Sequence, residues 1–158
     1  MPKFAANLSF LFADAPFPER FRRAAAAGFA GVEYLFPYDY PAPEIAGWLR
    51  ANDLEQVLFN LPAGDWVAGE RGLACQPQRR GEFAESVELA LDYAMVLDCG
   101  RVHCLAGLRP AGVGEAELEA TYVANLQFAA DRFATIGATV MIEPINSRID
   151  MPGYWLDD

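Results

Sequence analysis

The chain has 158 residues, enough for one domain with a sizeable core. Apolar residues make up 53% and charged residues 22%, and 12 basic residues stand against 22 acidic ones for a net charge of -10. This is a globular composition rather than a disordered one, and its sign argues against nucleic acid or an anionic membrane surface as partner, since both are polyanions. A small anionic substrate stays open, because one or two local arginines can hold a carboxylate whatever the global charge.

Taken in chain order, the residues alternate between strand and helix signals. Phe4–Leu8 is a short apolar run, punctuated by Pro16 and Pro18. Glu19–Ala27 (ERFRRAAAA) is a strong helix former ended by Gly28. Gly31–Leu35 is a second strand, the segment 37–43 (PYDYPAP) a loop, and Glu44–Ala51 a helix with Ile45, Trp48 and Leu49 on one face. Gln56–Leu61 is a third strand, followed by a long loop over 62–77. Gly81–Leu97 carries Phe83, Val87, Leu91, Ala94 and Met95 at helical spacing and is ended by Cys99-Gly100. Arg101–Leu105 is a fourth strand, Glu115–Ile136 a long helix closed by Gly137, and Thr139–Glu143 a fifth strand; 144–158 reads as loop.

Five strands alternating with four helices imply parallel strands with helical crossovers. With no linker or composition shift, residues 1–158 read as a single domain. An open doubly wound sheet and a barrel both fit. The first strand-to-helix turn (Asn7-Leu8-Ser9-Phe10-Leu11-Phe12) lacks the glycine-rich phosphate fingerprint, which weakens the dinucleotide-binding reading. Asn7, Glu33, Asn60, His103 and Glu143 all fall at the C-terminal ends of strands, the catalytic face of a barrel. A complete eight-unit barrel needs about 250 residues and five units about 156, so the chain reads as an α/β (β/α)8-barrel cut off after its fifth strand. The edges of strands one and five would then lack partners, which invites homo-oligomerisation.

Cys75, Cys99 and Cys104 form no CxxC pair, and His103 is the single histidine, so free thiols in a reducing cytosol are expected rather than a zinc site. The N-terminus carries no secretory pattern, and the apolar runs are too short to span a bilayer; a cytoplasmic protein is expected.

Glu143, extended because Pro144 follows it, is the first candidate for chemistry: a partly desolvated carboxylate there can act as general base or as a hard metal ligand. The plainer alternative is a rim salt bridge. His103 could contact a substrate hydroxyl or carbonyl, or be a satisfied core histidine. Arg71 lies in Gly69-Glu70-Arg71-Gly72, a segment whose glycines would let it move as a lid, with Arg71 clamping a carboxylate; alternatively Glu70 simply pairs with a basic neighbour. Glu33 could be a second polar wall or a rim ion pair. The aromatic run 36–40 could wall a pocket but is expected to pack the barrel top.

Phe4-Ala5-Ala6-Asn7-Leu8-Ser9, Gly31-Val32-Glu33, Phe36-Pro37-Tyr38-Asp39-Tyr40, Asn60-Leu61-Pro62-Ala63-Gly64-Asp65-Trp66, Ala68-Gly69-Glu70-Arg71-Gly72 and Ile142-Glu143-Pro144-Ile145-Asn146 occur in that order. Together they resemble the hydroxypyruvate isomerase family, within the xylose-isomerase-like TIM barrels, over essentially the whole chain. The resemblance implies an aldose–ketose type proton shift through an enediol on a short-chain oxo or hydroxy acid, with Glu143 as catalytic base and metal ligand. It implies a divalent cation, Mg²⁺ or Mn²⁺, whose remaining ligands and the second glutamate of the site lie beyond the fifth strand, so the ligand set is incomplete here. Asn7, Glu33, Asn60, Arg71 and His103 are expected as substrate-binding residues from their positions at strand ends and in the long loop, apart from the resemblance.

Overall fold

The structure is a computed structural model that describes residues 3–157. Its elements run β1 (Ala5–Asn7), α1 (Phe17–Ala26), β2 (Gly31–Tyr34), α2 (Ala42–Ala51), β3 (Glu55–Asn60), a 3₁₀ turn (Pro77–Arg79), α3 (Arg80–Leu97), β4 (Arg101–His103), α4 (Glu115–Ala134) and β5 (Thr139–Met141). The five strands form one parallel sheet in the order β1-β2-β3-β4-β5. A doubly wound sheet reverses its strand order at a switch point; strictly sequential neighbours are the barrel arrangement. Successive helices pack on one another, α1 on α2, α2 on α3 and α3 on α4.

The two faces of the sheet differ sharply. Ala6, Val32, Phe59 and Val102 point toward the helices and are fully buried, where they meet Phe21, Ile45, Phe83, Val87 and Phe133 in a continuous core. The opposite, concave face carries Asn7, Glu33, Asn60, Arg101, His103 and Met141. This is the period-2 alternation of a strand, applied to a sheet packed on one side.

Pro18 and Pro43 sit in the first turns of α1 and α2 rather than in the loops before them. The missing N–H of proline costs nothing there and its fixed φ suits a helix, so both helices begin earlier than their charged residues suggest. All four helices end with the same closure, in which the amide after a left-handed residue bonds the carbonyl five residues back: Phe29 to Ala24, Leu54 to Leu49, Cys99 to Ala94 and Ala138 to Phe133, at 3.0–3.1 Å. The left-handed residue is Gly28 or Gly137 in two cases and Asp53 or Asp98 in the others. Thus α3 stops at Asp98, before the expected Cys99-Gly100. Met95 is 52% exposed, while Ser86 and Ala90 join the buried stripe.

The segment after β5 folds back instead of trailing as loop. Ile145 N–H bonds Leu156 O at 3.0 Å, Trp155 N–H bonds Gly107 O at 3.0 Å, and the buried Tyr154 hydroxyl accepts from Ala106 N–H at 2.7 Å. The three cysteines are free and buried, and burial pushes their thiols up, Cys104 to about 12. No described helix is long and apolar enough to cross a membrane.

Candidate active site

The polar residues of the concave face are arranged as cross-strand neighbours. Asn7 of β1 is the register partner of Glu33 of β2, and its Nδ2 donates to Glu33 Oε1 at 3.0 Å. Asn7 Oδ1 in turn accepts the Ser9 amide at 3.0 Å, so the first βα turn holds the amide that holds the carboxylate. Ser9 Oγ accepts the Leu35 amide at 2.9 Å, which ties that turn to the end of β2.

Asn60 reaches this face through an irregularity. Strict alternation along Gln56-Val57-Leu58-Phe59-Asn60 puts Gln56 and Asn60 on the same side. The register of β3 against β2 slips there, with Val32 opposite Gln56 and Glu33 opposite Leu58, so Val57 is an extra residue. Gln56 is therefore buried among the helices at 2% exposure while Asn60 opposes His103. Bulges commonly re-aim a side chain in this way beside active sites. Gly31 accommodates the bulge, because a Cβ there would lie 2.7 Å from Val57 Cγ2.

His103 Nδ1 lies 3.2 Å from Asn60 Oδ1, and its Nε2 is buried without a protein partner. Burial pulls the imidazole below its ordinary pKa, and the nearby Glu143 carboxylate partly counters this. Tyr38 fixes the end of β3 by donating to Asn60 O at 2.7 Å. The aromatic run around it packs as expected, with Tyr38 against Phe59 and Tyr93, and Tyr40 against Phe17 and Trp48.

Asn7, Glu33, Asn60, His103 and Glu143 line one cleft of about 600 Å³. Arg101, which sequence reading passed over, shares it; its signal was the two-residue spacing from His103 on one strand. Two expectations need correction. Glu143 is not the last residue of β5: the ladder ends at Met141, with Cys104 N–H to Met141 O at 2.8 Å as its last bond. Glu143 is exposed rather than partly desolvated, because no described strand lies beyond β5 to cover it.

Arg71 stands apart from the cleft lining. Its guanidinium stacks 4.1 Å from the Trp66 ring centroid, and Nη1 donates to Trp66 O at 3.0 Å and Glu70 O at 2.7 Å. Trp66 in turn packs on Phe36 at 5.0 Å. The expected hinged segment is pinned on both sides. Glu70 pairs with Arg79, which holds its carboxyl below the usual range, and also accepts the Asp65 amide at 2.5 Å. Gly72 forms an antiparallel bridge with Ala106.

Glu143 is a suitable hard oxygen donor for a divalent cation. The described residues bring no group of three His, Cys, Asp or Glu side chains together, so they do not complete a cation site by themselves.

The family model for xylose isomerase-like TIM barrels matches residues 21–158. A 2-oxo-tetronate isomerase from Cupriavidus necator is 52% identical over 157 residues, which span 99% of this chain and 60% of that protein. A hydroxypyruvate isomerase from Escherichia coli is 47% identical over 156 residues, again 99% of this chain and 60% of that protein. Among solved structures, one described as an AP endonuclease, family 2, from Brucella melitensis superposes with a TM-score of 0.95 at 51% identity, over 99% of this chain and 60% of that one. The chain thus spans about three-fifths of the length of the relatives it matches. From the sequential parallel sheet, the polar strand ends and these likenesses together, the chain belongs to the xylose isomerase-like TIM barrel family.

Proposed function

We propose that the cleft is part of the active site of a sugar-acid isomerase acting on short hydroxy-oxo acids of the hydroxypyruvate and 2-oxo-tetronate kind. The observation that carries this reading is the meeting of Asn7, Glu33, Asn60, His103 and Glu143, one from each strand or its end, in one cleft on the C-terminal side of a barrel sheet. The names of the relatives supply the substrate class.

Moving a carbonyl to the adjacent carbon requires a base that takes a proton from one carbon and returns it to the next, through an enediol. Glu143 would be that base. His103 would meet a substrate oxygen, and Asn7, Glu33 and Asn60 would form the polar wall. A divalent cation, Mg²⁺ or Mn²⁺, would polarise the substrate oxygens with Glu143 as one ligand, the others coming from outside this chain. The setting is a cytoplasmic small-molecule enzyme with no nucleic-acid or membrane partner. The edges of β1 and β5, flanked by the exposed Phe4, Phe10 and Ile142, would seat further strands or a second copy.

The test supplies the chain with the portion of the Cupriavidus relative beyond the matched residues and assays hydroxypyruvate and 2-oxo-tetronate with Mg²⁺ or Mn²⁺. Turnover by the pair and none by the chain alone is expected. No turnover by a folded pair would overturn the reading. The exposure of Glu143 favours a second reading, in which the chain alone binds short oxo acids without converting them. Calorimetric titration showing no binding would remove it.

A further inference from the structure

The Asn60–His103 contact determines more than position. An amide oxygen can only accept a hydrogen bond, so Nδ1, at 3.2 Å from Asn60 Oδ1, must carry a hydrogen. His103 is 7% exposed, and burial favours the neutral form of the imidazole. A neutral ring with its hydrogen on Nδ1 has a bare lone pair on Nε2, and that atom is the one buried without a partner. A buried acceptor left empty is unfavourable until a donor arrives.

Resting on the reading of the cleft as a site for short hydroxy-oxo acids, we propose that His103 Nε2 accepts the hydrogen of the substrate hydroxyl adjacent to the reacting carbonyl, and that Asn60 is a positioning residue that fixes the tautomer. His103 thereby becomes a specificity determinant. A substrate with a hydroxyl at that carbon fills the lone pair, whereas a methyl in its place leaves it empty and excludes water from it. Asn60 is suited to the task because its own backbone is held on both sides: its N–H bonds Leu35 O at 2.9 Å and its carbonyl accepts from Tyr38. The bulge at Val57 is what turns its side chain toward the ring.

His103 is the only histidine of the chain, so its ring nitrogens can be read by ¹⁵N NMR of the intact protein without assignment by mutation. Above the ordinary histidine range, the spectrum is expected to show a neutral ring protonated at Nδ1. Protonation at Nε2 would overturn the inference and leave the functional reading standing. Titration with hydroxypyruvate is expected to shift the Nε2 resonance and to give a Kd roughly tenfold lower than titration with pyruvate, which lacks the hydroxyl. Equal affinities and shifts would overturn the acceptor role alone. Binding of neither by the chain alone would remove the reading in which it binds short oxo acids unaided; binding of neither by the folded pair with the complementing portion of the Cupriavidus relative would overturn the functional reading itself. In Asn60→Leu both tautomers are expected; retention of the Nδ1 form alone would overturn the positioning role.

Discussion

Gly72 and Gly107 meet backbone to backbone where the loop after β3 crosses the loop after β4. A Cβ on Gly72 would lie 2.5 Å from Leu105 O and 2.8 Å from Gly107 N, and both glycines have positive φ, 128° and 108°. Glycines flanking a loop segment suit a hinge. In the fold Gly72 serves for close approach, which locks the loops together above the sheet. Gly107→Ala and Gly72→Ala are each expected to destabilise the chain by about 3 kcal/mol, from left-handed strain and overpacking together. Urea unfolding measures this; an unchanged midpoint would mean that the loops separate freely.

The same pinning makes a prediction about motion. Arg79 joins Glu70 of the long loop to Glu82 of α3, with its guanidinium held above its usual pKa by both carboxylates. Arg79→Ala is expected to raise hydrogen exchange over 64–71 while leaving α3 and α4 protected, since the loop's attachment is local. Faster exchange throughout the chain would contradict this, and unchanged exchange would show that the Gly72–Gly107 contact suffices.

Asp53 and Asp98 hold the left-handed cap positions that Gly28 and Gly137 hold at the other two helices, with φ of 52° and 51°. Both aspartates are exposed. Asp98→Gly and Asp53→Gly are therefore expected to stabilise the chain, each by about 0.5–1 kcal/mol, because glycine adopts this conformation without Cβ strain. Thermal unfolding decides it; a fall in Tm would show that the aspartate side chains contribute more than their backbone strain removes.

Burial of His103 gives stability a pH dependence of definite sign. Its folded pKa is below 6.5, so between the two values the unfolded chain binds more protons than the folded one. Stability is expected to fall as pH drops through about 6.5 and to level off below the folded pKa. His103→Gln should flatten that part of the profile, read by urea unfolding at several pH values. An unaltered profile would place the dependence elsewhere.

The order of elements was legible because each depends on local signals: apolar runs of strand length, helix-forming segments at helical spacing, and glycine at two of four helix ends. The grouping of Asn7, Glu33, Asn60, His103 and Glu143 was legible as well, since strand ends in a barrel share one face. What was not legible depends on contacts remote in sequence. Nothing in Gln56–Asn60 announces the bulge that separates Gln56 from Asn60; it arises from pairing with β2. The stop of β5 at Met141 follows from where β4 ends its ladder, and Arg71 is drawn to Trp66 and backbone carbonyls rather than to the cleft. Asp53 and Asp98 were missed because aspartate signals helix starts and turns more often than left-handed caps.

On the proposed reading, Glu143 would be the proton-transferring carboxylate of a short hydroxy-oxo acid isomerase. Among the described residues no hydrogen bond or ion pair engages its side chain, so Glu143→Gln should leave stability unchanged. The direct measurement is kcat for hydroxypyruvate with the chain complemented by the remaining portion of the Cupriavidus relative, wild type against Glu143→Gln. A loss of about 10²–10⁴ with an unaltered Tm is expected. Undiminished turnover in Glu143→Gln would contradict it.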